Sequence, residues 1–107
     1  MTNSELPAIV QTFIERYPDV WESYNQLGKA AAEAGPIDEK TERLVKLAIA
    51  VGGGLEGAVR SHTRRGSASG ISPEELQQVA LLGITTVGWP SAIAALSWIC
   101  DELEKRA

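Results

Sequence analysis

The chain has 107 residues and a net charge of -4, with 10 Lys and Arg against 14 Asp and Glu; that length fits one domain with a modest core and is too short for two. The acidic balance excludes a surface built for nucleic acid or anionic lipid, which needs clustered Lys and Arg. One cysteine, Cys100, excludes an internal disulfide framework and a Cys-based zinc site. Met1 to Glu5 is polar, no apolar segment of signal-peptide kind follows, and no run reaches the roughly 18 apolar residues of a membrane span. A cytoplasmic location with no membrane partner is the expectation.

Ser4 opens a helical pattern through Ile9, Val10, Phe13, Ile14 and Tyr17, with Pro7 tolerable in its first turn and Pro18 closing it. Asp19 is the expected cap of a second helix. Its Val20, Tyr24, Leu27 and Ala31 share one side, and Gly35-Pro36 stops it.

The stretch from Glu42 to Gly70 holds the glycine triplet, the sole histidine and five of the ten Lys and Arg residues. Gly52, Gly54 and Gly57 spell GxGxxG, so a strand over Val45 to Val51 ahead of a dinucleotide site is one reading. Periodicity decides against it. Leu44, Leu47, Ala48 and Val51 recur at helical spacing, Lys46 has no place in a buried strand, and the chain offers no convincing further strand to pair with. The third helix therefore runs from Asp38, a cap followed by acidic Glu39, to about Val51, and the glycines end it.

The fourth helix begins near Leu55 and carries Ala58, Val59, His62 and Ala68, with Gly66 as a weak point and Gly70 as its C-terminal stop. Ser72-Pro73-Glu74-Glu75 is a strong start signal for the fifth: a capping Ser, Pro in the first turn and Glu75 as the capping-box partner. Ile84 to Val87 is β-branched, but without a partner strand it reads as the last turns of that helix. Pro90 opens the last helix, where Ile93, Ala94, Leu96, Ser97, Cys100 and Leu103 follow and the charges collect in Asp101 to Arg106. About six helices with short connections make an all-α single domain over residues 1–107. Wide apolar stripes on several of them predict a homo-oligomer.

The helix KTxxLxxLAIAxxxG from Lys40 to Gly54, an element bearing His62, and Gly70 ahead of the Ser72 capping motif together resemble the carboxymuconolactone decarboxylase family, which includes alkyl hydroperoxidase D. The resemblance covers Lys40 to about Pro90, and Val87-Gly88-Trp89-Pro90-Ser91-Ala92 is similar to the family's G-x-P-A segment. It implies an alkyl hydroperoxidase D-like helical bundle, typically trimeric or hexameric. In the peroxidase branch two cysteines precede the histidine; with His62 in register, Leu55 and Ala58 stand in their places. The relay glutamate of that branch is replaced by Arg43, with Glu42 beside it. Disulfide chemistry needs two thiols, which Leu and Ala do not provide.

His62 is the sharpest candidate residue, a general acid/base whose ordinary pKa of about 6.5 suits proton transfer near neutrality. Glu56 is expected to orient or relay for it. Arg60, Arg64 and Arg65 form the one basic cluster, and Arg60 or Arg64 is the expected partner of a substrate carboxylate, with Leu55 and Ala58 as an apolar wall. No second His or Cys stands at ligand spacing, so no metal is expected, and the chemistry requires no cofactor. Two function classes follow: a cofactor-free lyase acting on a small anionic organic acid or lactone, or a non-catalytic oligomeric binding module of the same fold. A packed, hydrogen-bonded His62 and a solvated arginine face are the bland alternatives.

Overall fold

A computed structural model describes residues 6–106, which are helical with short connections. The elements are α1 (Ala8–Arg16), α2 (Pro18–Ala32), α3 (Glu39–Gly53), α4 (Glu56–Ala68), α5 (Pro73–Leu82), α6 (Ile84–Val87) and α7 (Trp89–Arg106). They fall into two compact units, the first ending at Ile37 and the second beginning at Asp38.

In the first unit α1 and α2 pack as a hairpin. The opening expected at Ser4 lies outside the described residues; α1 starts after Pro7. The second helix differs from expectation at both ends. Pro18 is its first residue and Tyr17 its N-cap, because proline fixes a helical φ and its missing N–H would go unused there, so Asp19 sits in the first turn. At the other end α2 stops at Ala32, short of Gly35. Phe13 lies against Tyr17 and Trp21, and Trp21 against Tyr24, at ring separations of 5.4, 6.5 and 5.7 Å. Neither helix holds a buried residue.

The second unit holds the core: Leu47, Ala50 and Val51 of α3, Val59 of α4, Ile71, Leu76 and Ala80 around α5, and Ala95 and Ile99 of α7. Local chemistry sets its helix ends. Asp38 accepts from Thr41 N–H at 2.8 Å, and Ser72 and Glu75 exchange both capping-box bonds. Gly54, at φ 66°, ends α3 in the left-handed conformation that glycine adopts without strain. The β-branched run does not continue α5: the helix turns at Gly83, and Ile84–Val87 is a separate single turn. Gly66, expected as a weak point, is instead a packing site. A Cβ there would stand 2.9 Å from Leu76 Cδ2, so the missing side chain lets α5 approach α4.

Candidate functional site

The α3 and α4 helices pack closely in the second unit, and α7 packs against α4. Helical geometry turns about 100° per residue, which sorts the α4 side chains onto faces. Ala58, His62 and Arg65 fall on one face, while Arg60 and Arg64 point about 160° away from His62. The two sets meet different neighbours.

On the α7 side the arginines are taken up by carboxylates. Arg60 donates to Asp101 at 2.6 Å, to Glu102 at 3.3 Å and to Glu56 at 3.0 Å. These bonds, led by the one to Asp101, push its guanidinium further from ever losing its proton. Arg64 pairs with Glu102 at 3.5 Å, and Lys105 reaches Asp101 and Glu102. Glu102 is buried. This network ties α7 to α4. Glu56 belongs to it through Arg60 and lies about 120° around the helix from His62, so the structure does not bring Glu56 to the imidazole.

His62 is half-buried, and its Nδ1 is buried with no hydrogen-bond partner among the described residues. Burial, followed by the positive charges of Arg65, Lys46 and Arg43, lowers its pKa from 6.5 to about 4. It is therefore a neutral imidazole at neutral pH. Ala58 is half-buried against the core, and Leu55, the exposed N-cap of α4, lies over Gly53. Arg43, Lys46 and Arg65 are also half-buried, and among the described residues none of the three forms a salt bridge. Of these, sequence reasoning passed over Lys46 and assigned no ligand role to Arg43 or Arg65. The signal was present as spacing: Arg43 and Lys46 stand three apart on α3, as His62 and Arg65 do on α4, so each pair shares a helix face.

Among the described residues of this unit, two cavities are outlined. One of about 450 Å³ is walled mainly by apolar side chains of α3, α5 and α6, among them Leu44, Ala48, Val51 and Val79. The other, of about 310 Å³, is lined by Glu39, Lys40, Arg43, Ser69, Gly70 and Ile71. His62 is in the wall of neither. Among the described residues no cluster of three or more His, Cys, Asp and Glu could hold a metal ion, and no helix is long and apolar enough to cross a membrane. Cys100 is half-buried and free.

The model of the carboxymuconolactone decarboxylase family matches residues 18–100. The chain belongs to the carboxymuconolactone decarboxylase family. An uncharacterised protein of Methanocaldococcus jannaschii is 32% identical over 84 residues, covering 78% of each chain. An uncharacterised protein of Haemophilus influenzae is 40% identical over 48 residues, 45% of this chain but only 42% of that one. The fold matches the apo crystal structure of a carboxymuconolactone decarboxylase family protein from Legionella pneumophila, with a TM-score of 0.73 at 21% identity, over 90% of this chain and 85% of that one. Within the family frame Leu55 and Ala58 offer no thiol beside His62.

The depressed pKa of His62 predicts how stability varies with pH. Between pH 6.5 and about 4 the unfolded chain binds a proton that the folded chain refuses. Stability present above pH 6.5 therefore falls as pH drops through this window, with a slope of up to about 1.4 kcal/mol per pH unit. Asp38, Glu75 and Asp101, held low chiefly by hydrogen bonds from Thr41, Lys40 and Arg60, lose their contributions only below their own ordinary range of about 4. Urea midpoints at pH 7.0, 6.0 and 5.0 should thus fall in the wild type and stay nearly level in His62→Gln; a wild type as stable at pH 5 as at pH 7 would contradict the burial of a neutral imidazole.

Proposed function

We propose that the His62 face of α3 and α4 is the site of a cofactor-free lyase acting on a small anionic organic acid or lactone, by decarboxylation or proton transfer. The observation that carries this reading is a half-buried, neutral imidazole with a free, buried Nδ1, set among positive charges. In a decarboxylation the bond between the carboxylate and its carbon breaks, CO2 leaves, and the electron pair passes into an adjacent carbonyl as an enolate. Positive charge beside the site favours that enolate over its dispersal into water. A proton on His62 then goes to carbon, so one proton is consumed for each CO2 released. The apolar side chains of Ala58 and Leu55 lower the polarity on the same face. The test is CO2 release from 4-carboxymuconolactone and related lactone acids by the purified protein; no release from any of them counts against the lyase.

The alternative is a non-catalytic binding module. It is favoured by Arg43, which stands where the peroxidase branch of the family has its relay glutamate, and by the absence of His62 from the walls of both cavities. An acid that binds with no turnover would support it.

A homo-oligomer, trimeric or hexameric, belongs to the same proposal. Ile9, Leu27, Ile49 and Leu82 are each at least 66% exposed, and apolar surface of this kind is commonly covered by another chain. Light scattering at micromolar concentration should give a mass of three or six chains, and a monomer mass would refute this part.

A further inference from the structure

We infer that Arg43, Lys46 and Arg65 form the carboxylate-holding part of the His62 site, and that a carboxylate bound there brings a proton onto His62. The inference rests on the His62 reading for the place of the ligand, but not on any turnover.

Among the described residues four cations of this unit already hold carboxylates. Lys40 is paired with Glu75 at 2.7 Å, Arg60 with Asp101 at 2.6 Å, Arg64 with Glu102 at 3.5 Å and Lys105 with Asp101 at 3.3 Å. Arg43, Lys46 and Arg65 are the half-buried cations of this unit left without a carboxylate among the described residues. They are not scattered. Two come from one face of α3 and the third from the His62 face of α4, and all three act on the same imidazole. Like charges gathered on a partly desolvated spot repel one another, and an anion removes that penalty.

The α7 carboxylates are held elsewhere, while Glu39 and Glu42 lie on α3 beside Arg43 and Lys46 without a salt bridge to either among the described residues. Asp101 and Glu102 of α7 meet the opposite side of α4, held by Arg60 and Arg64. The 310 Å³ cavity places Arg43 beside residues 69–71, which follow α4, together with Glu39 and Lys40, while Lys46, His62 and Arg65 lie outside its wall. Nδ1 of His62 completes the constellation, since a buried nitrogen without a partner is a hydrogen-bonding position still to be filled. In the free protein burial, and after it the cations, keep that imidazole neutral. A carboxylate in hydrogen-bonding reach of the imidazole offsets the cations and favours the charged form, so the imidazole gains a proton and donates to the acid. A neutral molecule of the same shape lacks this term.

The experiment is calorimetric titration of the full chain with succinate at pH 6.5 in two buffers of different ionisation enthalpy, beside proton NMR of the imidazole. His62 is the sole histidine, so its resonance needs no assignment. Expected are binding with net proton uptake and an upward move of the His62 titration when succinate is present. His62→Gln should still bind but without the uptake. Arg43→Gln and Lys46→Gln should each weaken binding roughly 10- to 100-fold, while Lys29→Gln, on α2, leaves it unchanged. NMR on the wild type keeps the test alive if a variant misfolds. The inference falls if succinate does not bind, if it binds without moving the His62 titration, if succinamide binds as well, or if inorganic phosphate binds more tightly than succinate. A protein that passes these tests yet releases no CO2 from any acid retains this site and loses the lyase.

Discussion

Replacing His62 by alanine is expected to lower turnover by about 10²- to 10⁴-fold, the usual contribution of a positioned general acid or base. Helix content and oligomer mass should be unchanged. The imidazole is half-buried and its Nδ1 bonds to nothing among the described residues, so truncation removes no hydrogen bond from that nitrogen and, the imidazole being neutral at pH 7, no charge from the α3 and α4 face. The chemistry depends on it differently. A proton must reach carbon as CO2 leaves, and an imidazole held near pKa 4 in the free protein carries almost none at pH 7. The substrate's own carboxylate must therefore raise that value, which makes the working acid a property of the complex. The alanine variant should accordingly lose kcat more than KM, because the cations that hold the acid remain. A variant with wild-type kcat on a turned-over lactone acid would remove His62 from the mechanism, and the binding module would then be the better reading.

What the sequence disclosed depended on the range of the forces involved. The ends of α3 and the start of α5 follow from contacts within four residues: Asp38 with Thr41, Ser72 with Glu75, and Gly54 in a left-handed conformation. Such signals are local and readable. Pro18 does close the first helix, but its second role as the first residue of α2 was missed, because the one-residue connection at Tyr17 left no spacer to mark the change. Gly66 was misread because its reason lies in Leu76, on another helix.

The candidate site divides in the same way. His62 stood out because it is the sole histidine, and the family frame gave it a place. Which cations accompany it was not legible in composition, since the three arginines of α4 read as one cluster. The helix sends Arg60 and Arg64 toward α7 and Arg65 toward the side where Arg43 and Lys46 of α3 lie. Spacing could have separated them once the position of α7 was known, and that position is a product of core packing.

Removing the Glu102 carboxylate is expected to cost about 3 to 5 kcal/mol of folding stability, the usual result of breaking one side of a buried ion pair. By sequence Glu102 belongs to the charged end of the last helix, yet it is 5% exposed. It lies within 3.3 Å of Arg60 and 3.5 Å of both Arg64 and Lys105. Asp101 and Glu56 still serve Arg60 in Glu102→Ala, and Lys105 is exposed enough to turn to water. Arg64 has neither recourse. Its side chain is 12% exposed, its Nε is buried without a partner, and Glu102 is its one carboxylate partner among the described residues, so the alanine variant strands a charge between α4 and α7. Domains of this kind have total stabilities of about 5 to 15 kcal/mol, so such a loss is a large share of the whole. At roughly 4 °C or more per kcal/mol, the midpoint should fall by roughly 12 °C or more. Glu102→Gln, which keeps the shape and one acceptor, should lose less. The decisive variant is Glu102→Met with Arg64→Met: two apolar side chains of similar size remove both the charge and its partner, and should recover most of the stability that Glu102→Ala loses. Urea denaturation of the four proteins measures this; a Glu102→Ala loss under about 1 kcal/mol, the value typical of a surface pair, would mean that the network adds little to holding α7 against α4.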